Sequence, residues 1–349
     1  MAPGNPQPYP LYDATLTLQR ISPLYIGSDT PLENATLQIY AQQFRDILAG
    51  DVLRGVRVGL SEDTTMARVG ALQAVTWKLL PDEDVWTGAD ELQMTGNEDT
   101  TTSLAASRGM LVTITYERGD YTAILLRDMQ GDQDESAIGV DLDGYGFQSF
   151  PLLLMKMPAT LRDPFTQFLA NTFDARASTF QLPSLFLTTA LDQYLAYICV
   201  GEDGEPLDTL ESSRILRTII GSISVEVGFD IPAGSATLKT LQIHIASEDV
   251  PRMVSRGKRL VDGPETPFMA ALTAYVKAHL ALDLSHEMVN IVGIHCQAFL
   301  LNSAGKAKFS LPHVADDGES PQSRATKRLV HGLIATAKGR KMIMGNEGS

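Results

Sequence analysis

At 349 residues, 44% hydrophobic and 20% charged, the chain has an ordinary folded-protein composition, with room for one large domain or two smaller ones sharing an interface. Its formal net charge of -14 repels phosphate, which excludes nucleic-acid binding over the whole surface and leaves only a local basic patch for such contact. The two cysteines, Cys199 and Cys296, lie in apolar settings without Cys-x-x-Cys spacing, which argues against a disulfide framework or a zinc site and fits a reducing compartment.

Residues 1–11 form a Pro-rich tail expected to be disordered, with no apolar run of the kind a signal peptide needs. No stretch of about 18 apolar residues could span a bilayer, so a soluble, intracellular protein with no membrane contact is expected. Residues 12–148 read as a first α+β half. Tyr12, Ala14, Leu16 and Leu18 alternate with polar residues, giving a strand over 12–21. Leu37, Tyr40, Ala41, Phe44, Ile47 and Leu48 recur at helical spacing over 34–49, with Gly50 just past the end. Strands are predicted at 52–59 and 71–80, the second carrying Trp77. Residues 82–107 hold seven acidic and no basic residues between Asp82 and Asp99, which predicts a long loop that packs little. A hairpin follows over 110–116 and 121–126, and Arg118-Gly119-Asp120 is read as its turn rather than as an adhesion motif. A second acidic loop covers 128–143. Its Asp132 and Asp141 registers place Ala137 where a calcium loop needs its sixth-position glycine and Leu152 where it needs a twelfth-position carboxylate, so calcium binding is not expected.

Residues 149–311 read as a second α+β half. The apolar run Phe150–Met157 stops at Pro158 and hands over to a helix over 159–173, in which Leu161, Phe165, Phe168, Leu169 and Phe173 recur at three and four residues. Helices are predicted at 183–200 and 210–218, then strands at 219–230 and 238–246. In the latter, Leu241, Ile243 and Ile245 alternate with Gln242 and His244, and Glu248-Asp249 open a helix whose dipole favours them. A helix at 267–282 precedes one long strand over 288–301, a turn at 302–305 and a strand over 306–311. Consecutive strands joined by tight turns give the α+β class with mainly antiparallel sheets. The long apolar strand near the end of the chain implies an edge that must be covered or paired.

The sequence misses the residue spacings of the common catalytic templates. There is no phosphate-cradling Gly-x-x-x-x-Gly-Lys-Ser/Thr loop, Asp143-Gly144-Tyr145-Gly146 lacks the third glycine of a dinucleotide turn, and no His-Glu-x-x-His is present. The stretch from Gly221 to Val225 misses the Gly-x-Ser-x-Gly elbow. Adjacent strand residues face opposite ways, so His295 and Cys296 do not make a nucleophile-base pair. No catalytic, cofactor-binding or metal-binding residue is assigned; the competing class is a soluble enzyme of unrecognised type. Residues 312–349 form a basic C-terminal tail. Arg324, Lys327, Arg328, Lys338, Arg340 and Lys341 are candidate DNA or nucleosome contacts, and no acidic residue interrupts 324–345. The same segment also fits a solvated tail or a localisation signal, and Leu329, Val330, Leu333 and Ile334 permit a short helix that docks on the body or on a partner.

The step from Phe150–Pro158 into the helix ending at Thr172–Arg176, the strand and acidic close of Thr240–Asp249, Arg214–Arg217, and the opening Leu16–Tyr25 together resemble the centromere protein L (CENP-L) family in its fungal form. The resemblance runs from Tyr12 to Leu311. It implies a non-enzymatic subunit of the inner kinetochore, in the nucleus at the centromere, acting in chromosome segregation. A CENP-N-like partner is implied, with contacts to CENP-C and other inner-kinetochore subunits, DNA or nucleosome contact within the complex, and no small-molecule substrate. In that family the C-terminal sheet carries the partner interface. The matching positions are Met288–Leu301 and Lys306–Leu311, giving Val292, Ile294, Cys296, Ala298, Leu300 and Phe309 as the expected partner-binding strand residues. The acidic loops and the tail depart from the family outline.

Overall fold

The computed structural model describes residues 8–27, 32–53, 69–86, 103–129, 146–201, 203–230, 239–260, 265–312 and 319–339. The chain divides into two compact units, the first centred on Leu16–Thr179 and the second on Phe180–Thr336. Strand 152–156 and helix 159–173, grouped by sequence with the second half, pack in the first unit. Both are α+β with antiparallel pairing, as the patterning implies.

The first unit begins with β1 (Leu16–Ile21) and β2 (Leu24–Tyr25), followed by α1 (Asn34–Leu53) and β3 (Leu72–Leu80). β4 (Gly109–Tyr116) and β5 (Gly119–Leu126) form a hairpin in which Tyr116 faces Gly119, so the turn is Glu117-Arg118. β6 (Phe147–Gln148) pairs with β2 in a small ribbon; β7 (Leu152–Lys156), α2 (Ala159–Phe173) and β8 (Ala177–Thr179) complete the unit. The strand order is β8-β1-β7-β5-β4-β3, antiparallel throughout. Short β8 had no periodic signal in three residues. α1 runs through Gly50 to Leu53, because an interior glycine costs a helix only about 1 kcal/mol and its backbone there stays helical. The strand expected at 52–59 therefore fails at its first two residues; 54–59, and the expected loop interiors at 87–102 and 130–145, lie outside the described residues.

The helical spacing of α1 and α2 buries Leu37, Ala41, Phe44, Phe165, Phe168 and Phe173 in one core around Trp77. The Trp77 ring lies 5.8 Å from Phe173 and 6.2 Å from both Phe165 and Phe168, the offset and edge contacts aromatic quadrupoles favour.

The second unit comprises α3 (Ser184–Tyr197), α4 (Thr209–Ile215), β9 (Ile223–Phe229), β10 (Thr240–Ile245), α5 (Val250–Gly257), α6 (Pro267–Leu280), β11 (Val289–His295), β12 (Phe299–Asn302), β13 (Lys306–Phe309) and α7 (Pro321–Ala337). A π-helical turn, Leu216–Ile220, continues α4, so β9 starts later than the predicted 219. Gly221, at φ +61°, turns the chain out of it. The strand order is β10-β9-β11-β12-β13. The single strand predicted over 288–301 is two. The Cys296 N–H donates to Phe299 O (2.9 Å), and Gln297 N–H to Ile220 O (3.0 Å), which folds residues 296–298 into a turn and lays β12 back on β11. An unbroken apolar pattern does not reveal such a turn.

The helices of this unit are fastened by two devices. Gly257 ends α5 where a side chain would collide with the Pro267 carbonyl, so its missing Cβ permits the close approach of α6. Asp192 on α3, 3% exposed, accepts the N–H groups of Phe268 (2.7 Å) and Met269 (3.1 Å). Pro267 leaves α6 without a donor at its first position and Thr266 makes no side-chain cap, so a carboxylate from another helix does that work. Burial pushes the Asp192 carboxyl up to about 6, against the lowering effect of the two N–H donors. The folded state therefore binds this proton more tightly than the unfolded chain does. Its stabilising contribution is complete below about pH 4 and is lost as pH rises through about 6, on the order of 2–3 kcal/mol in all. Asp192→Asn is expected to remove this component. Urea denaturation of both proteins at pH 4.5 and 7.5 checks it: the difference in stability between them should change with pH, and a constant difference contradicts the assignment.

Candidate functional site

β10 pairs with β9 in the register Thr240↔Gly228 through Ile245↔Ile223. The Phe229 N–H donates to Lys239 O (3.2 Å), and the antiparallel alternation follows from that bond: Leu241, Ile243 and Ile245 direct their N–H and C=O groups at β9. Thr240, Gln242 and His244 therefore direct theirs away from the sheet. Among the described residues none of these outward backbone groups has a protein partner. The three side chains are exposed, and Gln242 braces the strand by donating from Nε2 to Ser224 Oγ (2.6 Å).

The first unit treats its own terminal strand differently. On β3, the Leu79 N–H is taken by Asn34 Oδ1 (2.8 Å), and Trp77 O receives Gln38 Nε2 (3.0 Å). Both polar side chains come from the first turns of α1, so the helix that fills the core also blunts the edge. β10 has no such cover among the described residues.

The partner-binding residues expected from sequence do not offer an open ladder. β11 lies between β9 and β12, and β12 between β11 and β13. Ile294, Cys296, Ala298 and Phe309 are buried, while Val292 and Leu300 are half-buried. Val292 is the extra residue of a bulge against β9, and Phe309 O accepts the Asp13 N–H (2.8 Å). The apolar character that marked this stretch as an interface reflects its central place in the sheet. The edge sits instead at the earlier strand, whose alternation was legible but whose position was not.

Four of the six cations of the expected basic tail have internal partners. Residues 321–337 form helix α7, the docking alternative, and bury Leu329, Val330, Leu333 and Ile334. Arg324 donates to Val200 O (2.8 Å), and Lys327 pairs with Glu319 (2.7 Å). Arg328 donates to Tyr197 Oη (2.9 Å) and lies over its ring, while Lys338 meets Asp128 at 2.6 Å. The two carboxylates offset the charge of Lys327 and Lys338, while Arg324 and Arg328 keep theirs with donors committed to neutral acceptors. Arg340 and Lys341 lie outside the described residues.

The candidates for chemistry are scattered. His295 is exposed while Cys296 is buried, and burial pushes the Cys296 thiol up to about 11, far from a thiolate at neutral pH. Among the described residues no group of His, Cys, Asp and Glu side chains could hold a metal ion, and no helix is long and apolar enough to cross a membrane.

The family model for centromere protein L, CENP-L, matches residues 10–338. The chain belongs to the CENP-L family. No curated protein matches the chain. Membership makes this a structural protein of the kinetochore, at the centromere in the nucleus, belonging to the inner-kinetochore assembly and acting in chromosome segregation. The match runs past Leu311 through α7, so the helix that the sequence set apart as a tail lies within the family's extent.

Because α7 is part of the second core, removing residues after Leu311 is expected to cost soluble protein. Leu333→Ala, at a fully buried position, should lower stability by about 2–5 kcal/mol. Chemical denaturation measures both, and a chain ending at Leu311 that unfolds like the full-length one would contradict this role.

Proposed function

We propose that this CENP-L family chain pairs with a CENP-N-like subunit through the open edge of β10. The pair would act within the constitutive centromere-associated complex to link centromeric chromatin to the kinetochore, with CENP-C and neighbouring inner-kinetochore subunits as further contacts. The observation that carries the pairing is the set of N–H and C=O groups on Thr240, Gln242 and His244 that have no partner among the described residues, in contrast to the capped edge at β3. An added strand would satisfy those groups at a net gain of roughly 0.5–1.5 kcal/mol each. Half-buried Leu241 and Ile243 supply apolar contact on one face of the strand, and exposed Gln242 and His244 supply polar contact on the other.

This reading moves the interface from 288–301 to β10 while keeping it in the C-terminal sheet. Ile294 is buried on a strand flanked by β9 and β12, so a proline there would remove a ladder N–H inside the sheet and would test folding rather than pairing. The edge offers a cleaner test. His244→Pro removes an outward N–H and no bond to β9, so the sheet should persist. Co-expression with the CENP-N-like subunit followed by size-exclusion chromatography should show a melting temperature close to wild type and affinity reduced by at least roughly tenfold. An undiminished complex would overturn the β10 assignment, and a shift of the isolated chain to a dimer that the same substitution abolishes would name a second copy as the partner.

A further inference from the structure

We infer that the second unit carries a binding groove for a phosphorylated protein segment, formed where α4 and its π-helical continuation face α5. Two clefts meet at Arg217. One, of ≈ 460 Å³, is lined by Leu210, Arg214 and Arg217; the other, of ≈ 450 Å³, by Arg217, Arg252, Arg256 and Arg259. Five guanidinium groups thus converge from two elements in a protein of net charge -14. All five side chains are exposed. Among the described residues only Arg252 has an ion pair, with Asp249 at 3.2 Å.

The residue type narrows the ligand. Every cation lining the clefts is arginine, whose planar fork takes two oxygens of a phosphate at once, whereas lysine offers a point charge. Arginine clusters of this kind receive phosphoserine and phosphothreonine. The π-helical turn Leu216–Ile220 carries Arg217, the residue shared by both clefts; a widened turn costs hydrogen-bond geometry and concentrates at functional positions. Glu248 reports the same field. Its carboxyl is held low by its own backbone N–H and by Ser247, with Arg217 and Arg252 adding to the effect.

A peptide fits better than a duplex. Leu210 stands 83% exposed at the rim of the first cleft, an apolar contact that a protein side chain can use and a phosphodiester backbone cannot. The exposed carboxylates of Asp208, Glu211, Glu248 and Asp249 lie on the same elements or at their starts and would repel a polyanion running on beyond the groove. The groove therefore favours a short, locally dianionic ligand with an apolar neighbour.

Fluorescence anisotropy on the full chain tests this with three probes: a labelled peptide bearing one phosphoserine beside a leucine, its unphosphorylated twin, and a short DNA duplex. The phosphopeptide should bind, the twin should bind at least roughly tenfold more weakly, and the duplex should not displace the phosphopeptide at equal concentration. Arg217→Ala with Arg256→Ala should weaken the phosphopeptide by at least roughly tenfold with an unchanged melting temperature. Arg217→Lys keeps the charge but loses the fork, and should weaken binding while leaving folding untouched. No measurable phosphopeptide binding, equal binding of the twin, indifference to the arginine variants, or a duplex that competes for the same arginines would each overturn the proposal. His244→Pro should leave phosphopeptide binding intact, which separates this groove from the β10 pairing.

Discussion

An antiparallel ladder leaves every second N–H and C=O of its last strand pointing away from the sheet, and those groups must find water or a partner. Much in this protein follows from how that demand is met. On β3 it is met internally: Asn34 and Gln38 occupy the ladder groups of Leu79 and Trp77 while the same helix drives Leu37, Ala41 and Phe44 into the core. One helix thus supplies apolar burial and edge protection from residues spaced three and four apart. On β10 the outward groups face away from β9 without such a cover among the described residues. Under the proposed pairing, an incoming strand would complete this edge.

The second unit gives that edge a firm backing. β9 is held on its far side by β11, which is itself backed by β12, so β10 rests on a laddered stack rather than on a loose hairpin. Ser184 Oγ at the start of α3 takes the Ile291 N–H (2.9 Å), tying helix to strand, and Asp192 in the same helix caps α6. The near contact at Gly257 sets α5 against α6. Rigid support of this sort lowers the ordering cost that an incoming strand must overcome. α5, which follows β10 directly in the chain, also forms one wall of the arginine groove, so the pairing edge and the anion site are consecutive in sequence.

Charge was a fair guide to what the surface is not, and a poor guide to where positive charge is free. The run of cations from Arg324 to Lys338 looked available because no acid interrupts it. In the fold, Glu319, Asp128, Tyr197 and the Val200 carbonyl reach it from elsewhere. The arginines of α4, its π turn, α5 and the turn after it do not read as one patch because Arg217 and Arg252 stand 35 residues apart in sequence. They converge only when the two elements pack.

Local periodicity alone determined the α+β class, the antiparallel hairpin with its turn near Arg118, the apolar faces of α1, α2 and α6, and the alternation of β10, because each depends on neighbours two to four residues apart. The order of elements also carried the family resemblance. Only the tertiary structure decided the turn at 296–298, which breaks one apolar run into β11 and β12, since the bonds that hold it come from Phe299 and the distant Ile220 carbonyl. It also decided that Ile294 is central while His244 is at an edge, because strand order is set by long-range pairing that no local pattern encodes. The same holds for Asp192: a carboxylate on an apolar helix is legible, but its role as the cap of a helix some 76 residues later depends on which backbone N–H groups the fold brings to it.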